Sequence, residues 1–377
     1  MKRIVLYTAT GAQNLGDECI LLAEYRFLRA RYPDADLRIA TYDPGVQLLP
    51  TDNKVTFFSY FPNGFGKNIF ANIGYFFRNC YEIARADLVI VGGGGLFYDN
   101  EAGQSWKKQL LEWKLRIVAA KFFRTIVFFW GIGIDVSREN RAAFARLFAG
   151  KRTVVSVRDR ESEKFIESIG QEVHRVRDPV FTLEYPESIR HKTRPKVGLA
   201  LRAGYMPNEP ENIEKIIRFL QSEGFEPVFL THSFHPTNAL TNDAVSFARI
   251  ADELQVHTTQ AMDETFALYR DLTFVISMRL HASILSVVAG IPFYAISYAK
   301  KTDEILRDVG TSYVQRASTF DPEIFKTQFR ELIQARETQQ FALIHKYDTI
   351  KANTLESYNF LFDGLQILHR KNHGSQL

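Results

Sequence analysis

Short runs of β-branched and aromatic residues alternate along the chain with longer amphipathic segments, the pattern of parallel sheets covered by helices. In the first half the strand-like runs are "RIVLYT", "LRIATY", "VTFFSY", "DLVIVGG", "TIVFFWG", "VVSVRD" and "VHRV". Leu21, Leu22, Tyr25 and Leu28 share one face of a helix expected over 17–31, and further helices are expected near 68–85, 104–123, 138–149 and 160–169. The stretch "DPVFTLEYPESIRHKTRPK" holds three prolines and no periodicity, so it reads as a linker. Alternation then resumes with "VGLALR", "EPVFLTH", "QVHTT", "TFVISM" and "IPFYAIS" as strands and helices near 211–223, 239–253, 263–270 and 281–289. From Asp321 the chain turns helical and polar, and a last helix carries Leu355, Tyr358, Leu361 and Leu365.

The expected architecture is α/β, with two Rossmann-like doubly wound domains facing a cleft: residues 1–183 and 194–350, the first completed by a C-terminal helix over 352–372. A length of 377 residues suits two cores of roughly 150–200 residues each. With 46% apolar and 24% charged residues the composition is globular, not disordered.

Charge narrows the partners. The net +4, 47 basic against 43 acidic residues, is spread without a block of five like charges, which argues against nucleic acid and leaves a small anionic ligand open. Cys19 and Cys80 have neither disulfide-framework nor zinc spacing, so no metal site is expected and a reducing cytoplasm fits best. The apolar run at the N-terminus is too short for a signal-peptide core. Ala282–Ala299 is uncharged over 18 residues, but Gly290-Ile291-Pro292 interrupts it, so it reads as helix, turn and strand within a core. The aromatic content and basic balance are compatible with work at a membrane surface.

Candidate chemistry lies at the strand ends. After the first strand, "TATGAQNLGDE" permits a tight turn at Gly11 and Gly16 that offers backbone N–H groups to an anion, although Asp17 and Glu18 also suit the helix dipole and Asn14 the turn. "VIVGGGGLF" lets backbone approach a ligand at Gly93 and Gly94, or simply admits a neighbouring helix. "FFWGIGID" repeats such a strand end with Gly131 and Gly133. In "VRDRES", Arg158 or Arg160 could grip a carboxylate or phosphate, or an adjacent Arg-Asp pair could simply pin the turn. Arg202 ends the strand "LALR". In "SMRLHA", Arg279 and His281 stand two apart, so strand geometry would aim both at one ligand and Leu280 away, while a helix starting near His281 would add its dipole. His232, His235, His257 and His174 have no comparable company.

"NLGDE", "VIVGGGGLF", "VRDRES" and "SMRLHA" followed by "AGIPFYAISY" occur in an order that resembles the polysaccharide pyruvyl transferase family, over most of the chain to about residue 310. The resemblance implies a fold similar to the two-domain glycosyltransferase B class, phosphoenolpyruvate as donor substrate with no cofactor or metal, and a sugar or glycan acceptor. The product would be a pyruvate ketal on a cell-surface polysaccharide or its precursor, formed in the cytoplasm or at the inner face of the membrane. It implies Arg158 and Arg279 as donor ligands, His281 as proton donor and Glu18 as the group that activates the acceptor hydroxyl. Leu280, Asn14, Gly16, Asp17, Gly93, Gly94 and Arg202 would line the substrates. The competing readings are a nucleotide-sugar-dependent glycosyltransferase on a similar scaffold and a non-catalytic glycan-binding relative.

Overall fold

The computed structural model describes all residues except 12, 46–48, 64–68, 100–104, 185–194, 235–241, 249–254, 258–261 and 375–377. The chain forms two compact units: Met1–Ala12, Asp17–Pro179 and Asn353–Leu377 in the first, Gln13–Gly16 and Val180–Ala352 in the second.

The first unit is an all-parallel sheet of β1 (Arg3–Tyr7), β2 (Asp36–Thr41), β3 (Val55–Ser59), β4 (Leu88–Val91), β5 (Gly94–Tyr98), β6 (Ile126–Asp135), β7 (Thr153–Val157) and β8 (His174–Arg175). The order is β3-β2-β1-β4-β6-β7-β8, with β5 beside β6. Strands such as β4, Leu-Val-Ile-Val, are buried on both faces because helices cover both. Helix α1 (Leu15–Arg31) follows β1, and α2 (Ile69–Ala84), α3 (Trp106–Phe122), α4 (Arg141–Phe148) and α5 (Arg160–Ser168) follow in turn. Ile83, Leu110, Trp113, Ile117 and Phe144 from α2, α3 and α4 share one core with Val5, Val89 and Val127, so these three helices cover the same face of the sheet. In this unit Phe27, Trp130, Tyr358 and Phe362 interlock edge to face, with Trp130 and Tyr358 fully buried.

The second unit has strand order β11-β10-β9-β12-β13-β14, again all parallel. The strands are β9 (Lys196–Ala200), β10 (Glu226–Leu230), β11 (Gln255–His257), β12 (Leu272–Ser277), β13 (Phe293–Ser297) and β14 (Val314–Arg316). Its helices are α6 (Glu209–Ser222), α7 (Asp243–Ser246), α8 (Met262–Arg270), α9 (Leu280–Val288), α10 (Lys300–Val309) and α11 (Pro322–Gln334). Asp321 caps α11 by accepting from the N–H groups of Glu323 and Ile324. A final helix, α12 (Arg336–Gly374), begins in this unit and ends in the first. The uncharged stretch is the expected helix, turn and strand: Gly290 has φ +63° and ends α9, and β13 follows.

Three local expectations change. Gly94 opens β5, a strand that the glycine run conceals from a hydrophobic pattern. Gly131 and Gly133 lie inside β6, where the register with β7 shifts, and not at its end. The start of the expected linker is packed: Asp178, Val180, Phe181 and Leu183 are buried, and Pro179–Thr182 form a 3₁₀ turn.

Candidate functional site

In a doubly wound sheet the ligand crevice opens where the strand order reverses direction. That point falls between β1 and β4 in the first unit and between β9 and β12 in the second. Most of the sequence-expected site residues stand at these two places, whereas Arg158 stands at the end of β7, two strands from β4.

At the first, Gly11 has φ +77°, and a Cβ there would stand 2.3 Å from Thr41 Oγ1. Its N–H donates to Glu18 Oε1 at 3.0 Å, so Glu18 pins the strand-to-helix turn. Glu18 is 5% exposed and its Oε2 has no hydrogen-bond partner among the described residues. Burial raises its pKa to about 8, against the Gly11 hydrogen bond, with Asp17 adding to the rise. One and a half turns on, Glu24 Oε1 accepts from the Gly93 N–H at 2.6 Å, and burial likewise raises Glu24 to about 8. A Cβ on Gly92 would stand 2.5 Å from Glu24 Oε2. One on Gly94, where φ is +105°, would stand 3.3 Å from Asp17 Oδ1. The glycine run therefore admits the carboxylates of α1.

Arg158 follows β7 and donates Nη1 to Asp178 Oδ2 at 2.6 Å, with the two side chains 5% and 0% exposed. Asp159 instead caps α5 through the Ser162 N–H at 2.8 Å, and Arg160 begins that helix with its side chain exposed. The acid that pins Arg158 is therefore not its neighbour but lies twenty residues on, in the segment expected to be linker.

At the second place, Met278 extends the β12–β9 ladder by donating to the Ala200 carbonyl at 2.8 Å, and α9 starts two residues later. Arg279 is the N-cap residue, φ −92° and ψ 128°, and His281 is already in the first helical turn. The strand alternation expected for the pair therefore does not apply. Leu280 opens the helix with its side chain buried. Arg279 Nη2 pairs with Asp243 Oδ1, and its Nε donates to the Leu201 carbonyl at 3.3 Å. Asp243, 2% exposed, also accepts from the N–H groups of His232 and Ser233 at 2.9 and 3.0 Å. Burial pushes its carboxyl pKa up, while Arg279 and the two N–H donors oppose that rise.

Residues Gln13–Gly16 pair with this segment. The Leu15 N–H donates to the His232 carbonyl, the Phe234 N–H to Gln13, and Asn14 bridges Ser233. The Asn14 side chain accepts from the Gly16 N–H at 3.2 Å, supporting the turn. Gly16 thereby lies against the His281 ring: a Cβ there would stand 2.1 Å from Nδ1 and 2.6 Å from Cγ. Arg202, beside Leu201, donates to the Tyr298 hydroxyl at 3.1 Å and covers the rings of Tyr205 and Tyr298, whose centroids are 4.2 Å apart.

His232 does have company. It is 2% exposed, its Nε2 meets the Tyr269 hydroxyl at 3.0 Å, and burial with the charges of Arg279 and His281 lowers its pKa to about 3. It remains a neutral ring. His174 lies in β8 near Glu172, His257 lies in β11, and His235 falls outside the described residues. Glu24, Asp178, Asp243 and His232 escaped the sequence reading. Each acts through a partner far along the chain, and the only local signal was an acid or imidazole among buried residue types. Among the described residues no group of three or more His, Cys, Asp or Glu is placed to hold a metal ion.

Solved structures share this architecture. A UDP-GlcNAc 2-epimerase from Neisseria meningitidis bound to UDP-GlcNAc aligns with a TM-score of 0.59 at 10% identity, over 97% of this chain and 100% of that one. WaaG, a glycosyltransferase involved in lipopolysaccharide biosynthesis, aligns at 0.56 with 12% identity over 95% and 99%. A galactosyltransferase of the lipopolysaccharide outer core, WaaB in its apo form, aligns at 0.50 with 9% identity over 95% and 98%. At such identities the likeness is one of fold, and the fold is that of the glycosyltransferase B class, built from Rossmann-like α/β domains. No curated protein is significantly similar in sequence. The family profile of polysaccharide pyruvyl transferase matches residues 14–300, and the chain belongs to that family, a family of transferases that modify polysaccharides.

Proposed function

We propose that the protein moves the enolpyruvyl group of phosphoenolpyruvate onto hydroxyls of a cell-surface polysaccharide or its precursor, forming a pyruvate ketal and releasing phosphate. The observation that carries this reading is the convergence of Arg279, His281 and the amino end of α9 in one unit, with Gly16 leaving room for the imidazole. An anion bound there meets a guanidinium fixed by Asp243 and the positive dipole end of α9.

In this chemistry the His281 ring gives a proton to the methylene carbon of the donor, which becomes a methyl group, and positive charge develops at C2. An acceptor oxygen attacks C2 and loses its proton to a base; a second hydroxyl then displaces phosphate and closes the ketal. Arg279 and Arg202 are the cations suited to the donor's carboxylate and phosphate. Arg279 and Arg158 each pair with a buried aspartate, but Arg158 is the more enclosed at 5% against 11% exposed, so it is better suited to fixing the turn before α5. Glu18, with a pKa near 8, can accept the acceptor's proton, and more of it is in the basic form as pH rises towards that value.

The test is phosphate release from phosphoenolpyruvate in the presence of a glycan acceptor, with His281→Ala expected to lower turnover at least about 100-fold while the fold persists. A second reading, nucleotide-sugar-dependent glycosyl transfer, is favoured by the exposed Tyr205 beside Arg202 and Tyr298, a surface on which a base could stack. Thermal shifts separate the two: stabilisation by phosphoenolpyruvate supports the first, and stabilisation by a nucleotide sugar alone supports the second.

A further inference from the structure

Ten of the 18 large hydrophobic residues exposed among the described residues lie on α2, on α3 or on the residue that ends α3. On α2, Phe70, Ile73, Phe77 and Tyr81 follow one another at helical spacing and form an outward stripe, with Phe70 88% and Phe77 65% exposed. On α3 the stripe is Leu111, Leu115, Val118 and Phe122, opposite the buried Leu110, Trp113, Ile117 and Ala120. The two helices are neighbours over the same face of the first unit's sheet, so their stripes form one patch, and an apolar patch of this kind marks an interaction surface.

Its charge selects the partner. The two helices carry six basic and two acidic residues; both acids are withdrawn, Glu82 being 0% and Glu112 17% exposed, while of the bases Arg116 is buried and Arg78 pairs with Glu82. Lys107 and Lys108 stand exposed at the start of α3, Arg78 stands beside Tyr81, and Arg85 follows α2. Aromatic and aliphatic side chains flanked by cations, without exposed carboxylates, suit the interface of an anionic bilayer, where rings enter the headgroup region and lysines meet lipid phosphates. A second copy would set one basic rim against another. No helix of the described residues is long and apolar enough to cross a membrane, so this face would lie on the surface.

We propose that the α2–α3 face docks the protein onto an anionic lipid bilayer. The proposal is independent of the pyruvyl-transfer reading, because its readout is vesicle binding and not activity. The full chain is sedimented with sucrose-loaded vesicles of phosphatidylcholine alone or mixed with phosphatidylglycerol, at low and raised salt. Expected is binding to the anionic vesicles that weakens with salt, falls about tenfold or more in Phe77→Glu/Val118→Glu, and falls in Lys107→Ala/Lys108→Ala, all with unchanged thermal melts. Absence of binding by the unsubstituted chain, or equal binding by the apolar variant, overturns the proposal. So does a dimer in solution that Phe77→Glu/Val118→Glu converts to monomer.

Discussion

The two units use the same device in different settings. Each holds an arginine beyond a strand end with a buried aspartate, Arg158 with Asp178 in the first unit and Arg279 with Asp243 in the second. In the first unit the surroundings are acidic and closed: Glu18 and Glu24 are buried, and each holds a backbone N–H of a glycine turn. In the second they are cationic and less closed, with Arg279 11% exposed, His281 beside it and Arg202 on a tyrosine pair. An arginine at a strand end is thus no evidence of a ligand until its counter-ion and neighbours are known.

The largest expected effect concerns the cationic region. His281→Ala should lower turnover by about 10²–10⁴-fold, the usual worth of a positioned proton donor, with the melting temperature unchanged. Full activity in that variant would remove the distinction between the regions. Next come the two aspartates. Asp178→Ala and Asp243→Ala should each cost about 3–5 kcal/mol in urea unfolding, because each leaves a buried guanidinium unpaired. They should differ in rescue: phosphoenolpyruvate should restabilise Asp243→Ala more than the unsubstituted protein and leave Asp178→Ala unaided. Equal rescue would place both arginines at the donor. Gly16→Ala should reduce turnover about 100-fold by displacing the His281 ring, as a misplacement of about 1 Å does.

Within any one pH unit the effects of titration are smaller, and they have opposite signs. Glu24 has a folded pKa near 8 against about 4.5 unfolded, so between these values the unfolded chain releases a proton that the folded one keeps, and stability falls as pH rises. Glu24→Gln should flatten that fall. His232 has a folded pKa near 3 against 6.5, so the unfolded chain takes up a proton first and stability falls as pH drops below about 6.5. His232→Gln should lessen the acid-side loss. Urea midpoints across pH 4 to 9 for the two variants measure both slopes; parallel slopes would contradict the assignment.

What was legible in the sequence is what local pattern encodes. Buried parallel strands and amphipathic helices announced the two α/β units, because side-chain periodicity is set by the backbone within a few residues. The same reasoning lost β5, where the signal begins with Gly94 and Gly95, and β14, only three residues long. It also carried strand alternation past Ser277 into Arg279 and His281, although α9 begins at Leu280. The counter-ions were out of reach for another reason: Asp178 is 20 residues from Arg158 and Asp243 is 36 from Arg279, and only the folded sheet brings them together. Gly16 looked like a turn glycine, whereas its lack of a side chain serves the His281 ring.

The central claim is that His281 delivers a proton to the methylene carbon of phosphoenolpyruvate while an acceptor oxygen takes C2. Mass spectrometry of the glycan product formed in deuterium oxide tests it directly. Expected are one phosphate released per ketal and one solvent deuterium in the ketal's methyl group, with product from His281→Ala formed at least about 100-fold more slowly. A product that lacks the deuterium, or glycan modified only when a nucleotide sugar is supplied, would contradict it.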